Sequence, residues 1–434
     1  MQLNRRTFLM GAGLVAAPLV LASCGFAPPA TQSSAGADTL TFTTWGTDSE
    51  LAGFQAAIAR FQKANPGTTV MLNAVPYAQM FTNIDAQLQA GNPPDVFRVP
   101  YYTFGSYAGR GQLLDLSSRL PGGFSDSFTP AAWAAVQNTG KTFGVPHHTD
   151  TSVIYYNKAA LQSAGIGAVP TTLDAAWSWD EFQQVLQTLR GSLPADKYPF
   201  AYNWQGNGVT RWLSWLFESN GRFLSDDLIS PAIDSDAGRA AVDYTRTFFS
   251  AGFVPQNNSV KSTTLAADTW YSQTAAMSSG GAFQIPDAAK NLDFDWGVTY
   301  SPRNARSAGD FGGNALVATA ATTKPDLAAS FLQFMTQQEE MSQFCASASL
   351  LPTRSDLTSS GIDFAVRPEL SPVFVGQAST VQAQDSAQVA SPSMSKIITV
   401  LKDQLELAFV GGQSTADTLT NMATGIAGAT SPTQ

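Results

Sequence analysis

Leu40-Thr41-Phe42-Thr43-Thr44-Trp45-Gly46 alternates apolar and polar side chains with period two and ends on a Trp-Gly pair, which predicts a β-strand over 40–44. A helix follows. Thr47 and Glu50 have the spacing of a capping box, and Leu51, Phe54, Ala57, Ile58 and Phe61 recur on one helical face until Asn65-Pro66-Gly67 stops it. Residues 70–75 read as a second strand, Tyr77, Phe81, Ile84 and Leu88 mark a second helix ending at Gly91, and Pro94-Asp95-Val96-Phe97 begins a third strand. Strand, helix, strand, helix, strand in so short a run calls for a parallel, helix-covered α/β sheet whose ligand sites lie at the strand carboxyl ends.

A second α/β unit begins near Thr142. Phe143-Gly144-Val145-Pro146 and Val153-Ile154-Tyr155-Tyr156-Asn157 are strand-like, and helices are predicted over 179–189 and 239–249. The Gly-rich segment 278–318 is strand-like again, and helical patterning returns over 326–344 and 394–410. No internal repeat of 20–50 residues is present.

Composition narrows the function. The 434 residues are 44% hydrophobic but only 13% charged, against about 25% in an ordinary soluble domain, so the surface is polar and weakly charged. With 24 Lys+Arg against 33 Asp+Glu the net charge is −9 and no basic patch stands out, which argues against a nucleic-acid partner. Two Cys and two His are too few for Cys-rich zinc modules, iron–sulfur clusters or a disulfide framework.

The amino terminus carries its own signal. Asn4-Arg5-Arg6-Thr7-Phe8-Leu9-Met10 is a basic n-region, and the apolar stretch from Phe8 to Ser23, broken by Pro18, is too short to span a bilayer. This fits a secretory signal peptide over 1–23, and paired Arg5 and Arg6 resemble the twin-arginine type. Leu21-Ala22-Ser23-Cys24 resembles the lipobox of bacterial lipoproteins, in which Cys24 is acylated and becomes the mature terminus. Cleavage there removes Arg5 and Arg6 and no acid, taking the net charge from −9 to −11. Residues 24–38 have linker composition and read as a tether holding a globular body off the membrane. Cys345, between Phe344 and Ala346, reads as a small buried hydrophobe.

Enzyme signatures are absent: there is no HExxH, no GxSxG and no paired CxxC. Gly140-Lys141-Thr142 resembles the tail of a phosphate-binding loop, but Ala135 stands where its first Gly belongs and a strand follows. His147 and His148 are adjacent on an extended segment, so they are expected on opposite faces and make a poor metal pair. Two carboxylates placed for glycoside hydrolysis are neither indicated nor forbidden among 33 acids.

Four blocks carry a family resemblance. The first is Thr44-Trp45-Gly46 with Phe54 and Phe61-Gln62-Lys63-Ala64-Asn65-Pro66-Gly67. Leu88-Gln89-Ala90-Gly91-Asn92-Pro93-Pro94-Asp95-Val96 and Gly111-Gln112-Leu113-Leu114-Asp115-Leu116 make the second. The third comprises Gly144-Val145-Pro146-His147-His148, Val153-Ile154-Tyr155-Tyr156-Asn157-Lys158, Ala164-Gly165-Ile166 and Trp179-Asp180-Glu181-Phe182. The fourth joins Trp296-Gly297-Val298, Gly312-Gly313-Asn314, the 328–335 helix and Leu351-Pro352-Thr353-Arg354. In this order they resemble the extracellular solute-binding proteins of ABC importers, in the sugar-binding class that includes maltose-binding protein.

The resemblance implies two α/β lobes with three interlobe crossings, near 145–151, 296–302 and 348–353, and a ligand held in the cleft. It divides the chain into an N-terminal lobe of 39–147 and 299–350 and a C-terminal lobe of 148–298 and 351–434. It also implies a carbohydrate ligand, ABC permease subunits as partners, a monomer, no cofactor and no catalysis. The family often has Tyr after Val-Pro, where this chain has His147. Two other readings stay open: a secreted carbohydrate-active enzyme, and the same fold binding a non-sugar solute such as a polyamine.

A pyranose offers apolar C–H faces and a rim of hydroxyls, so its site needs flat aromatic platforms beside carboxylates, amides and Arg. Candidates are aromatic or polar residues at strand ends and crossings: Trp45, Asp48, Tyr101, His148, Asp150, Trp204, Trp270, Gly281, Gly313 and Arg354. Either Tyr101 or Tyr102 is expected to face the cleft. Trp177, Trp179, Trp212 and Trp215 read as packing residues.

Overall fold

The computed structural model describes residues 38–431, so the expected signal peptide, Cys24 and nearly all of the tether lie outside the described residues. Two sheets organise the chain. The first has the order β2-β1-β3-β11-β6, made of β1 (Thr39–Thr44), β2 (Thr69–Ala74), β3 (Val96–Pro100), β6 (Val145–Asp150) and β11 (Gly312–Ala318). The second has the order β10-β7-β9-β8, made of β7 (Val153–Asn157), β8 (Tyr198–Ala201), β9 (Ala275–Gly280) and β10 (Trp296–Thr299). A short hairpin, β4 (Gln137–Asn138) and β5 (Lys141–Thr142), precedes β6 and accounts for the rejected phosphate-loop lookalike.

The opening strands behave as their pattern demands. β1 pairs in parallel with β2 and β3, and Leu40 and Phe42 point into the core with no exposure. Helix α1 (Asp48–Ala64) is capped by Thr47 and Glu50 in a complete capping box, and it buries Phe54, Ala57, Ile58 and Phe61. Helix α2 (Tyr77–Gln89) buries Met80 and Ile84, and α3 (Tyr101–Gly109) leaves β3 directly. The helical pattern over 326–344 resolves into two helices, Pro325–Met335 and Gln338–Ala348. Cys345 is fully buried, and that burial pushes its thiol pKa up.

Each lobe is built on one of the two sheets and three passages join them, the architecture of a two-lobe periplasmic binding protein. Strand pairing locates the passages. β6 remains paired to β11 as far as Asp150, so the first passage falls at Thr151 and Ser152, and residues 148–150 belong to the first sheet. The second runs from the end of β10 to the start of β11, 300–311, because β10 is still in the second sheet at Thr299. Leu351 bridges Thr149 near the third. The segment beyond it is not a pure C-terminal-lobe element: helix Ala383–Val389 packs on helix Pro130–Ala134, and helix Met394–Phe409 packs on both α3 and helix Asp236–Ser250. Among the described residues no helix is long and apolar enough to cross a membrane.

Candidate functional site

Strand polarity puts the chemistry at one edge of each sheet. Asn314 lies opposite Pro100 and Gly312 opposite Asp150, so β1, β3 and β6 end where β11 begins. In the second sheet Val153 opens β7 opposite Gly280, the last residue of β9, and β8 runs parallel beside it. Loops leaving both edges line one cavity of about 600 Å³, within the ~300–1,000 Å³ usual for small-molecule sites.

The N-terminal-lobe wall is aromatic. Trp45 stands just past β1, Tyr77 opens α2, and Tyr102 is the second residue of α3. The Trp45 and Tyr77 rings lie 5.1 Å apart, and the hydroxyls of Tyr77 and Tyr102 are hydrogen-bonded to each other. The facing wall is built of amides and hydroxyls: Asn203, Gln205, Asn207 and Thr210 follow β8, with Arg211 beyond them and Phe283 contributed from the end of β9. His148, Asp150, Asp310, Gly312, Gly313 and Asn314 form the floor. Gly313 has φ +92°, and an added Cβ would lie 2.4 Å from the His148 carbonyl oxygen, so only glycine fits this close approach.

Two charge clusters hold the floor. Arg98, 2% exposed, donates Nη2 to Glu50 Oε1 at 2.6 Å and Nη1 to the Trp45 carbonyl at 2.8 Å. Its guanidinium carbon sits 4.5 Å from the Trp45 ring centroid, so the ion pair that caps α1 also braces the aromatic wall. Arg211 binds the first two passages together: Nη2 donates to Asp150 Oδ2 at 2.7 Å, and Nη1 donates to Asp310 Oδ2 at 2.7 Å and to Ser152 Oγ at 2.9 Å. Burial raises the Asp150 pKa, an effect opposed by Arg211 and reinforced by Asp310.

The histidine pair corrects the expectation of opposite faces. The register between β6 and β11 shifts at Asn314/Ala315, pairing Asn314 with His148 but Ala315 with Pro146. That bulge brings the two Nδ1 atoms within 3.0 Å of each other. His148 Nε2 accepts from Arg98 Nη2 at 3.0 Å and from Asn314 Nδ2 at 2.9 Å, which puts its proton on Nδ1 and makes His147 Nδ1 the acceptor. Both rings are neutral: burial, with Arg98 nearby, lowers the His147 pKa to about 3 and that of His148 well below the usual value. Among the described residues no cluster of side chains suits a metal ion.

Of the residues singled out from sequence, Trp45, His148, Asp150 and Gly313 line the cavity. The other six do not. Asp48 is an exposed first-turn residue of α1, the cap itself being Thr47. Tyr101 is fully buried, its hydroxyl donating to the His148 carbonyl at 3.1 Å, and Tyr102 takes the cleft-facing position. Trp204 has no exposure: it packs 4.8 Å from Phe409 and 5.8 Å from Phe249, and Nε1 donates to the Asn258 carbonyl. Trp270 is equally buried, against Tyr155 and Trp296. Gly281 sits behind the floor, where an added Cβ would lie 2.2 Å from Asp150 Oδ1. Arg354 donates to Asp356 at 2.7 Å and to the Thr336 carbonyl, away from the cleft.

Sequence reading missed Arg98, Arg211, Asp310 and Asn314. A signal existed for Arg98, since a charged residue inside the apolar run Val96-Phe97-Arg98-Val99 must find a partner when buried. A second cavity, of about 520 Å³, lies on other surfaces and is lined by Pro130, Ala131, Phe311, Leu351, Val375 and Val381 among others.

Known proteins resemble this chain. The maltodextrin-binding protein MdxE of Bacillus subtilis is 24% identical over 389 residues, 81% of this chain and 87% of that protein. The diacetylchitobiose-binding protein DasA of Streptomyces coelicolor is 27% identical, covering 46% of this chain and 47% of its own. An arabinooligosaccharide-binding protein of Halalkalibacterium halodurans is 26% identical over 40% of this chain and 39% of its own, so the chain spans under half the length of both these relatives. In structure, the cyclic α-maltosyl-1,6-maltose-binding protein of Arthrobacter globiformis superposes with a TM-score of 0.77 at 18% identity, over 90% of this chain and 98% of that one. Residues 45–342 match the pattern of the bacterial extracellular solute-binding proteins, and the chain belongs to that family.

Proposed function

We propose that this protein is the membrane-tethered solute-binding component of an ABC importer, capturing an oligosaccharide between its lobes and presenting it to a permease. One observation carries the reading: the cleft sets the aromatic wall of Trp45, Tyr77 and Tyr102 against the amide and hydroxyl wall of Asn203, Gln205, Asn207 and Thr210. Flat apolar surface suits sugar C–H faces, and amides suit hydroxyls. The relatives named for maltodextrin, diacetylchitobiose and arabinooligosaccharide support the same ligand class. Binding is favoured over hydrolysis because the cleft carboxylates Glu50, Asp150 and Asp310 are each engaged by an arginine. Incubation with oligosaccharides is expected to release no reducing ends.

Closure follows if ligand binds the closed state better than the open one. The test is a thermal-shift screen over mono-, di- and oligosaccharides, since a ligand at a hundred times its Kd stabilises the native state by about 2.7 kcal/mol. Failure of every saccharide to raise Tm would sink the proposal. Trp45→Ala should weaken the ligand that screen identifies by roughly ten- to a hundred-fold, from lost ring burial plus about 0.5–1.5 kcal/mol of aromatic contact. Its apo stability should fall by about 2 kcal/mol, the scale of a cation–π contact to a desolvated guanidinium, since Arg98 is 2% exposed beneath the ring.

The tether is part of the same proposal. A twin-arginine signal peptide and acylation at Cys24 would place the protein outside the cytoplasm on the membrane surface. Relatives described as solute-binding lipoproteins support this reading. Cys24→Ala should abolish lipid labelling and release the protein from membranes; retention without lipid would refute the anchor.

A further inference from the structure

Among the described residues, five charged side chains line the cleft: Glu50, Arg98, Asp150, Arg211 and Asp310. Both cations are committed to the protein itself. Arg98 serves Glu50, His148 and the Trp45 carbonyl, and Arg211 serves Asp150, Asp310 and Ser152, at 2.6–3.0 Å throughout. Arg98 Nε has no acceptor, but the Trp45 ring covers that guanidinium and the side chain is 2% exposed. Three carboxylates thus stand against two guanidiniums, and the floor carries one negative charge in excess. Two other unpartnered buried atoms of cleft-lining side chains, Asn314 Oδ1 and Gln205 Oε1, are acceptors, whereas Asp150 Oδ1 lies against Gly281 behind the floor.

We infer that this cleft selects against anionic saccharides, taking neutral or amine-bearing sugars and rejecting those with a carboxylate or phosphate. The inference rests on the carbohydrate reading above and narrows it. An anion entering here meets excess negative charge in a partly desolvated site with no free cation to pair with. Hydroxyl and amine donors instead meet acceptors that lack partners.

The test uses the wild-type protein and matched ligands. From a panel of neutral gluco-, galacto-, arabino- and N-acetylglucosamine-type di- and trisaccharides, the sugar that raises Tm most is taken. Its terminal primary alcohol is converted to the carboxylate and, separately, to the primary amide of nearly the same size. Titration calorimetry should find the carboxylate at least ten-fold weaker than the amide. Equal affinities for that pair, or tighter binding of the carboxylate, would overturn the charge inference while leaving carbohydrate binding intact. Absence of binding by every neutral saccharide would instead defeat the carbohydrate reading and this inference with it.

Discussion

Replacing Arg211 with Met should cost the ligand-free protein about 3–5 kcal/mol, the range for breaking a buried ion pair by removing one partner. Arg211 is 14% exposed and holds Asp150 and Asp310, side chains 8% and 4% exposed, at 2.7 Å each. Without it, two buried carboxylates face each other unpaired. The loss should depend on pH in a defined sense. Asp150 already has a raised pKa through burial, and losing Arg211 removes the main influence that lowers it. A folded-state pKa above the unfolded value near 3.9 means that stability is fully present below the unfolded value and is lost as pH rises through the folded one. The deficit relative to wild type should therefore be smaller at pH 5 than at pH 8. Urea denaturation of both proteins at the two pH values checks this, and a deficit that grows on acidification would contradict it.

Trp204→Ala should lose about 3–5 kcal/mol of stability, as large-to-small changes at buried aromatics do. The ring has no exposure and is held by Tyr202, Phe249 and Phe409. Its Nε1–H also donates to the Asn258 carbonyl, which the change would leave with only the longer 3.4 Å contact from Gln205 Nε2. The folded fraction should bind sugar within a few-fold of wild type. Trp45→Ala should behave differently, with weakened binding and a smaller loss of stability of about 2 kcal/mol. A Trp204→Ala protein that melts normally but no longer binds would return that residue to the cleft.

The contrast between Trp45 and Trp204 marks how far sequence reading reached. Past β8 the side chains alternate: Asn203 and Gln205 line the cavity while Trp204, between them, turns into the core. Period-two geometry accounts for this, and it would have predicted the amides rather than the ring. Tyr101 and Tyr102 differ in the same way, one step of a helix deciding which is buried. By contrast, the strand–helix alternation from Leu40 to Phe97 was legible because each element advertises its buried face in its own spacing. Arg211, Asp310 and Asn314 were invisible for the reverse reason. Their meaning lies in partners 61 to 166 residues away, joined only once the passages are in place. The histidine bulge is also tertiary, since it depends on the register of β11 against β6.

Hydrogen–deuterium exchange with and without the saccharide found by thermal shift tests most directly whether the sugar is held between the lobes. Protection is expected in peptides from both walls at once, over residues 45–50 and 98–102 on one side and 203–211 on the other. Protection confined to one lobe, or centred on residues 129–132 and 375–383 around the second cavity, would contradict capture in the cleft.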